Sequence, residues 1–301
     1  LNLGHFYYKG FSFDYNLFDT NKIQENDLLY LKEYVIEANY LKAKKYYEIS
    51  STYDNPVSLL YLGYLFYDGK GVDQDYLKAK KYFELSAKLN NPDAIYSLGV
   101  IYEYGYGVKQ DYLKAKECYE SLIEMNHSNA LLNLGNLYFK KDYKKARMLF
   151  EKSAEFDNSI ALCNLGLIYL NGYDVEKDYL KAKSYFESSA KLNNSKSFNQ
   201  LGYMYINGYG VKQDYSEAIK YFELSAKLND SDGIYHLGVV YLNGEGVEKN
   251  IFKAKEYFEQ SAKMNNSYSL NKLGDFYYGG IAVEQSYLKA KEYYEQAAQL
   301  K

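Results

Sequence analysis

Two short markers recur in step along the 301 residues. The pair Leu-Gly falls at Leu3-Gly4, Leu62-Gly63, Leu98-Gly99, Leu134-Gly135, Leu165-Gly166, Leu201-Gly202, Leu237-Gly238 and Leu273-Gly274. An alanine preceded by Lys or Glu falls at Ala43, Ala79, Ala115, Ala146, Ala182, Ala218, Ala254 and Ala290. From Gly63 onward the glycine spacings are 36, 36, 31, 36, 36 and 36, and the alanine spacings are 36, 36, 31, 36, 36, 36 and 36. A period of this length defines a repeat architecture, in which each unit is one supersecondary element and the core is buried between neighbours. A single central core is thereby excluded.

Each unit reads as two helices. In "DAIYSLGVIYEYG" (93–105), Ala94, Leu98, Ile101 and Tyr102 recur at helical spacing, Asp93 suits the N-terminus, and Gly105 suits the left-handed position past the end. In "DYLKAKECYESLIEMN" (111–126), Asp111 is a good N-cap, and Ala115, Cys118, Tyr119 and Leu122 make one stripe. The small residues Gly99 and Ala115 allow close helix approach, which explains why they hold the phase. Only 2 Pro occur in 301 residues, as uninterrupted helices require. With 47% hydrophobic and 25% charged residues the chain is not of a disordered composition.

The Gly-x-Gly between the helices, as in "YGYGVKQDYLKAK" (104–116), has two readings: a phosphate-cradling loop or a tight helix-to-helix turn. A dinucleotide fingerprint follows a strand and sits in a βαβ unit, and neither is present. The glycines therefore shape a turn. The first of each pair (Gly69, Gly105, Gly172, Gly208, Gly244 and Gly280) is predicted to have positive φ. The second, replaced by Asp174 and Ala282 in two units, is expected to be released from that requirement.

The segments "AIYSLGVIYEYGYGVKQDYLKAKECYE" (94–120) and "GIYHLGVVYLNGEGVEKNIFKAKEYFEQSA" (233–262) resemble the SEL-one-like repeat, a relative of the tetratricopeptide repeat. The resemblance covers essentially the whole chain. It implies an all-α fold, a right-handed α/α superhelix of eight helix-turn-helix repeats mostly 36 residues long, with a concave face that holds proteins or peptides. It also implies adaptor roles, including activation of partner enzymes by docking. Some relatives are linked to binding or hydrolysis of cell-wall and β-lactam compounds, and some secreted ones carry a disulfide in each repeat. The two cysteines here, Cys118 and Cys163, make no such framework and favour a reducing compartment, although the start at Leu1 leaves a removed signal peptide open.

The array, read as a single domain over 1–301, departs from its own pattern in three places. The first unit carries 23 extra residues within about 10–35, a segment expected to cover the end of the array or to act as a partner-specific lid. The fourth unit, "LGNLYFKKDYKKARMLFEKSA", lacks five residues: its Gly-x-Gly-Val is gone, leaving a turn closer to an ordinary tetratricopeptide one. Both ends read as cut, since Leu1 enters midway through a helix and solenoids carry capping elements.

No catalytic constellation is visible. His5, His127 and His236 stand in separate units, without H-x-x-x-H or C-x-x-C spacing, and no Ser has a G-x-S-x-G context. The chain is therefore read as non-enzymatic, with no cofactor and no metal. A net charge of −3 gives no basic excess for nucleic acid, and no apolar run reaches the roughly 20 residues that cross a bilayer. Lys or Arg recurs four residues before Glu on the second helices, at Lys44/Glu48, Lys80/Glu84, Lys116/Glu120, Arg147/Glu151, Lys183/Glu187, Lys255/Glu259 and Lys291/Glu295. That marks a solvated convex face with mixed signs.

If the first helices line the concave wall, offsets of −2, +2 and +5 from the Leu of Leu-Gly point outward. These offsets select Tyr64, Tyr67, Tyr96, Val100, Leu132, Phe139, Leu167, Leu170, Tyr203, Ile206, Tyr235, Val239, Leu242 and Tyr278. Such an apolar and aromatic row is the expected seat of a protein or peptide partner. Glu103, at the +5 offset, is a charge within it.

Overall fold

The computed structural model describes residues 39–300, and every regular element among them is an α-helix. The insertion expected at 10–35, the first Leu3-Gly4 marker and His5 lie outside the described residues. The chain divides into two compact units, one up to Leu137 and the other from Tyr138.

The first unit contains α1 (39–51), α2 (Pro56–Asp68), α3 (Tyr76–Lys88), α4 (Pro92–Tyr104), α5 (Tyr112–Glu120) and α6 (Ser128–Tyr138), whose last residue passes into the second. The second contains α7 (Tyr143–Ala154), α8 (Ser159–Asn171), α9 (Tyr179–Lys191), α10 (Ser195–Asn207), α11 (Tyr215–Lys227), α12 (Ser231–Asn243), α13 (Ile251–Ala262), α14 (Ser267–Gly279) and α15 (Tyr287–Gln299). Within each unit consecutive helices pack as hairpins, and the second helices α3, α7, α9, α11 and α13 pack on the first helix of the following hairpin. Both are α/α solenoid stacks.

The Leu-Gly marker has a specific structural cause. In six hairpins the glycine lies under an aromatic ring of the second helix: Gly63 under Phe83, Gly99 under Tyr119, Gly166 under Phe186, Gly202 under Phe222, Gly238 under Phe258 and Gly274 under Tyr294. A methyl group on Gly202 would stand 2.5 Å from the Phe222 ring, closer than any real contact. The alanine marker is the companion small residue, fully buried at Ala79, Ala115, Ala146, Ala182, Ala218 and Ala254. Glycine, ring and alanine thus set the distance between the helices.

Helix starts follow the polar residues that precede them. Second helices begin after Asp75, Asp111, Asp142, Asp178, Asp214, Asn250 and Ser286, each accepting a backbone N–H from the first turn. First helices begin after Asn55, Asn91, Asn158, Asn194, Asp230 and Asn266 in the same way. In α4 the cap is therefore Asn91, with Pro92 at the first helical position and Asp93 within the first turn. The residue ahead of each such cap is left-handed: Asp54, Asn90, Asp157, Asn193, Asn229 and Asn265, with φ between 52° and 60°. Asn-Asn pairs such as Asn193-Asn194 consequently do two jobs, closing one helix and capping the next.

In four hairpins a buried serine ties the second helix to the start of its partner. Ser86, Ser189, Ser225 and Ser261 donate from Oγ to the backbone carbonyls of Pro56, Ser159, Ser195 and Ser231, at 2.6, 2.6, 2.9 and 2.7 Å. Replacing Ser225 by alanine is expected to cost about 1 kcal/mol, the net worth of one such bond. Urea unfolding followed by far-UV circular dichroism measures it, and an unchanged midpoint would show the clamp to be neutral.

At the Gly-x-Gly turn the structure supports one expectation and overturns another. The first glycines are left-handed, with φ of 68°, 74°, 75°, 70°, 77° and 66° at Gly69, Gly105, Gly172, Gly208, Gly244 and Gly280. The second position, expected to be free of that constraint, is left-handed as well. Gly107 and Gly246 have φ of 66° and 73°, and the substituted Asp174 and Ala282 have φ of 57° and 56°. A side chain there marks tolerated strain rather than a relaxed backbone. The second glycine also lies against the start of the preceding second helix: a Cβ on Gly246 would be 2.5 Å from the Tyr215 Cβ, and one on Gly107 2.8 Å from the Tyr76 Cβ.

Candidate protein-binding face

In the second unit α10 packs directly on α12, so first helices adjoin along one wall. Side chains from neighbouring first helices meet across it. Tyr203 approaches His236 with ring centroids 6.4 Å apart, and Tyr235 approaches Tyr268 at 5.7 Å. In the first unit Ser97 Oγ donates to the Tyr64 hydroxyl at 3.2 Å. The +2 residue of one helix thus sits beside the −1 residue of the next.

The three offset rows fare differently. At +2, Tyr64, Val100, Leu167 and Val239 are half-buried and Tyr203 is 38% exposed. At +5, Tyr67, Ile206 and Leu242 are half-buried and Tyr278 is 59% exposed, whereas Leu170 belongs to the core. Tyr67 leans on Tyr76 and Tyr106, and Phe139 on Tyr143 and Tyr173, so this row packs against turn aromatics. At −2, Leu132 is buried, as are Leu60, Cys163 and Asn199. Tyr96 and Tyr235 are half-buried, Tyr96 stacking on His127 at 4.9 Å and Tyr235 approaching Phe258 at 5.8 Å.

A further row at −1 shares the wall: Tyr61, Ser97, Asn133, Gln200, His236 and Lys272. Sequence reasoning passed over it because −1 and −2 lie three and four residues before +2, and both spacings are helical neighbours. The distinguishing signal is its polarity. An outward row mixes polar residues with apolar ones, whereas the −2 row is dominated by packing residues.

Among the described residues the histidines and cysteines are engaged or held neutral. His127 caps α6: its Nδ1 accepts from the Ala130 N–H at 3.2 Å, so Nε2 carries the proton and donates to Asp93 Oδ1 at 3.1 Å. That bond holds the Asp93 carboxyl below its ordinary range. His236 lies flat on Phe222 at 4.9 Å, and burial lowers its pKa. Burial pushes the Cys118 thiol up to about 11 and raises that of Cys163 too, so neither is a ready nucleophile at neutral pH. Among the described residues no group of three or more His, Cys, Asp or Glu could hold a metal ion, and no helix is long and apolar enough to cross a membrane. The seven Lys/Arg–Glu pairs read from the sequence all form, at N–O separations between 2.5 and 3.7 Å.

Stacked helical hairpins with a small-residue seam and an aromatic clamp define the class of tetratricopeptide-like α/α repeat proteins. Within it, the Sel1 repeat model matches residues 28–52, 56–91, 92–127, 159–194, 199–230, 231–266 and 267–301, and the chain belongs to the Sel1 repeat family. A tetratricopeptide repeat model matches residues 129–159, the unit shortened by five residues. The fold is similar to that of a protective antigen of uropathogenic Escherichia coli displaying an SLR fold, with 30% identity and a TM-score of 0.68. That alignment covers 85% of this chain and 56% of the antigen, so the chain spans little more than half of its relative's length. A Sel1 repeat protein from Oxalobacter formigenes has 25% identity and a TM-score of 0.67, over 78% of this chain and 94% of the other. Yeast Tom70 shares the fold at 15% identity and a TM-score of 0.53, over 99% of this chain and 66% of its own. No curated protein matches the chain. Repeat solenoids of this kind generally mediate protein–protein interaction on their extended faces.

Proposed function

We propose that this chain is a non-catalytic scaffold or adaptor, all eight repeats of 1–301 forming one array, which holds an extended segment of a partner protein on its first-helix faces. One observation carries the reading. The +2 side chains Tyr64, Val100, Leu167, Tyr203 and Val239 retain exposed surface on helices whose marker leucines Leu62, Leu98, Leu165, Leu201 and Leu237 are buried in the core. Apolar and aromatic side chains held on a rigid wall lose little entropy on contact, which makes them good anchors. The tyrosine hydroxyls remain neutral, because burial raises the pKa of Tyr64 and Tyr203.

Dodecapeptides selected from a displayed library on the whole chain test this. Tyr203→Ala and Tyr64→Ala should each weaken some selected peptides at least tenfold, the loss expected of a central aromatic anchor. Lys80→Ala and Lys183→Ala, on the opposite face, should leave binding unchanged. Tyr96 is a poorer probe, since it is wedged between Tyr119 and His127. Peptides whose binding is lost with the lysines and kept with the tyrosines would refute the face.

A further inference from the structure

One hairpin of the first unit departs from the repeat pattern at two positions. At +5 the other described units carry Tyr67, Phe139, Leu170, Ile206, Leu242 and Tyr278, whereas this one carries Glu103. In the second helix the ring facing the Leu-Gly glycine is phenylalanine at 83, 186, 222 and 258, but it is a tyrosine here, Tyr119, and in the last hairpin, where the Tyr294 hydroxyl donates to Asp275 Oδ1 at 2.9 Å. The Tyr119 hydroxyl donates to Glu103 Oε2 at 2.6 Å. Asn133, from α6, reaches the same hydroxyl at 3.2 Å and the same Oε2 at 3.4 Å. Both protein donors converge on Oε2, and among the described residues no hydrogen bond to Oε1 is formed.

No Lys or Arg among the described residues forms an ion pair with Glu103, although such pairs are frequent elsewhere in the chain. Its surroundings are phenols: Tyr119 from α5, and Tyr96 and Tyr104 on its own helix; burial, with the carboxylate adding to it, raises the pKa of Tyr96 and Tyr119, and the carboxylate itself is the main cause of the raised pKa of Tyr104. Burial in turn raises the Glu103 pKa. A carboxylate held by two hydrogen bonds, ringed by tyrosines and lacking a counter-charge is half of a cation site. The carboxylate supplies charge, and the ring faces add cation–π attraction, which is strongest for a guanidinium.

We propose that Glu103, with Tyr96, Tyr104 and Tyr119, receives an arginine or lysine side chain of the partner segment, and so fixes its register on the first unit. This rests on the binding face proposed above. Asn133 and Tyr119 act as positioning residues, holding Oε2 and leaving Oε1 for the incoming cation. Glutamine at 103 keeps an acceptor for Tyr119 and removes the uncompensated charge, so Glu103→Gln should fold normally and melt no lower than the parent.

The test uses the whole chain and the same displayed dodecapeptide library, selected in parallel on the parent, Glu103→Gln and Glu103→Lys. Peptides that depend on Tyr64 should carry Arg or Lys at one fixed position. They should lose at least tenfold in affinity for Glu103→Gln, and retain their affinity for Tyr203→Ala. Parent affinity should also fall on acidification, with a midpoint above the usual glutamate range. Selection on Glu103→Lys should favour Asp or Glu at the same position. Tyr64-dependent peptides with no basic preference, or with full affinity for Glu103→Gln, would overturn the cation site and leave the binding face standing. Recovery of no Tyr64-dependent peptide would overturn both.

Discussion

Phe222→Ala is expected to remove about 3–5 kcal/mol from the second unit, the usual loss for a fully buried phenylalanine. The ring is inaccessible to solvent, lies against Gly202 on α10 and shares its core with Ala218, Leu237 and Val240. Gly202→Ala alone should cost about 1–3 kcal/mol, because its new methyl would enter the ring at 2.5 Å and overpack the seam. The pair should be strongly non-additive. In the Phe222→Ala background the space opposite position 202 is empty, so the methyl meets no ring and its penalty should largely vanish. Far-UV circular dichroism in urea gives all four corners of the cycle, since the chain has no Trp to report the transition. Additive losses would mean that Gly202 is required for a reason other than the ring above it.

That contact explains how much of the fold was legible. Leu-Gly and Lys-Ala were readable as phase markers because each recurs wherever one helix presses on another. Their spacing alone placed the helix pairs and the shortened fourth unit. The sequence did not say what the glycine accommodates: the ring of Phe222 lies 20 residues away, in a helix rich in other aromatics. The Asn-Asn junctions were missed for a different reason. Asn193 and Asn194 look like one polar stretch, yet one is left-handed and the other caps α10, a division imposed by the turn of the chain.

The exposed row of the first helices was legible in outline. Offsets of +2 and +5 found Tyr203 and Tyr278, which keep substantial exposure. The offset of −2 also selected Leu132, which the structure buries. The error is one residue around a helix, where a rotation of 100° separates wall from core. Glu103 was visible as a charge in an apolar row, but its link to Tyr119 depends on the hairpin bringing residues 16 apart in sequence within 2.6 Å. Composition was a poor guide here, because 40 tyrosines obscure the few that matter.

The turn supplies the second large effect, through a comparison within one turn. Gly244 and Gly246 have nearly the same backbone angle, φ of 77° and 73°, so alanine at either should incur the same left-handed penalty of about 1–2 kcal/mol. They differ in what a new Cβ would meet. At Gly244 the nearest atom is the Lys249 Cβ at 3.1 Å, a tight approach that a shift of a few tenths of an ångström relieves, whereas at Gly246 it is the Tyr215 Cβ at 2.5 Å, where the backbone at the start of α11 must move. Gly246→Ala should therefore be worse than Gly244→Ala by about 1 kcal/mol or more, reaching about 2–4 kcal/mol in total. One repeat further on, Ala282 already carries the strain at φ 56°, and the residue corresponding to Tyr215 is Ile251, packed with it around the same core. Ala282→Gly should consequently stabilise the second unit, by up to about 1 kcal/mol once the added freedom of the unfolded glycine is deducted. Equal losses at Gly244 and Gly246 in urea unfolding would show that the approach of turn to helix contributes nothing beyond the backbone angle.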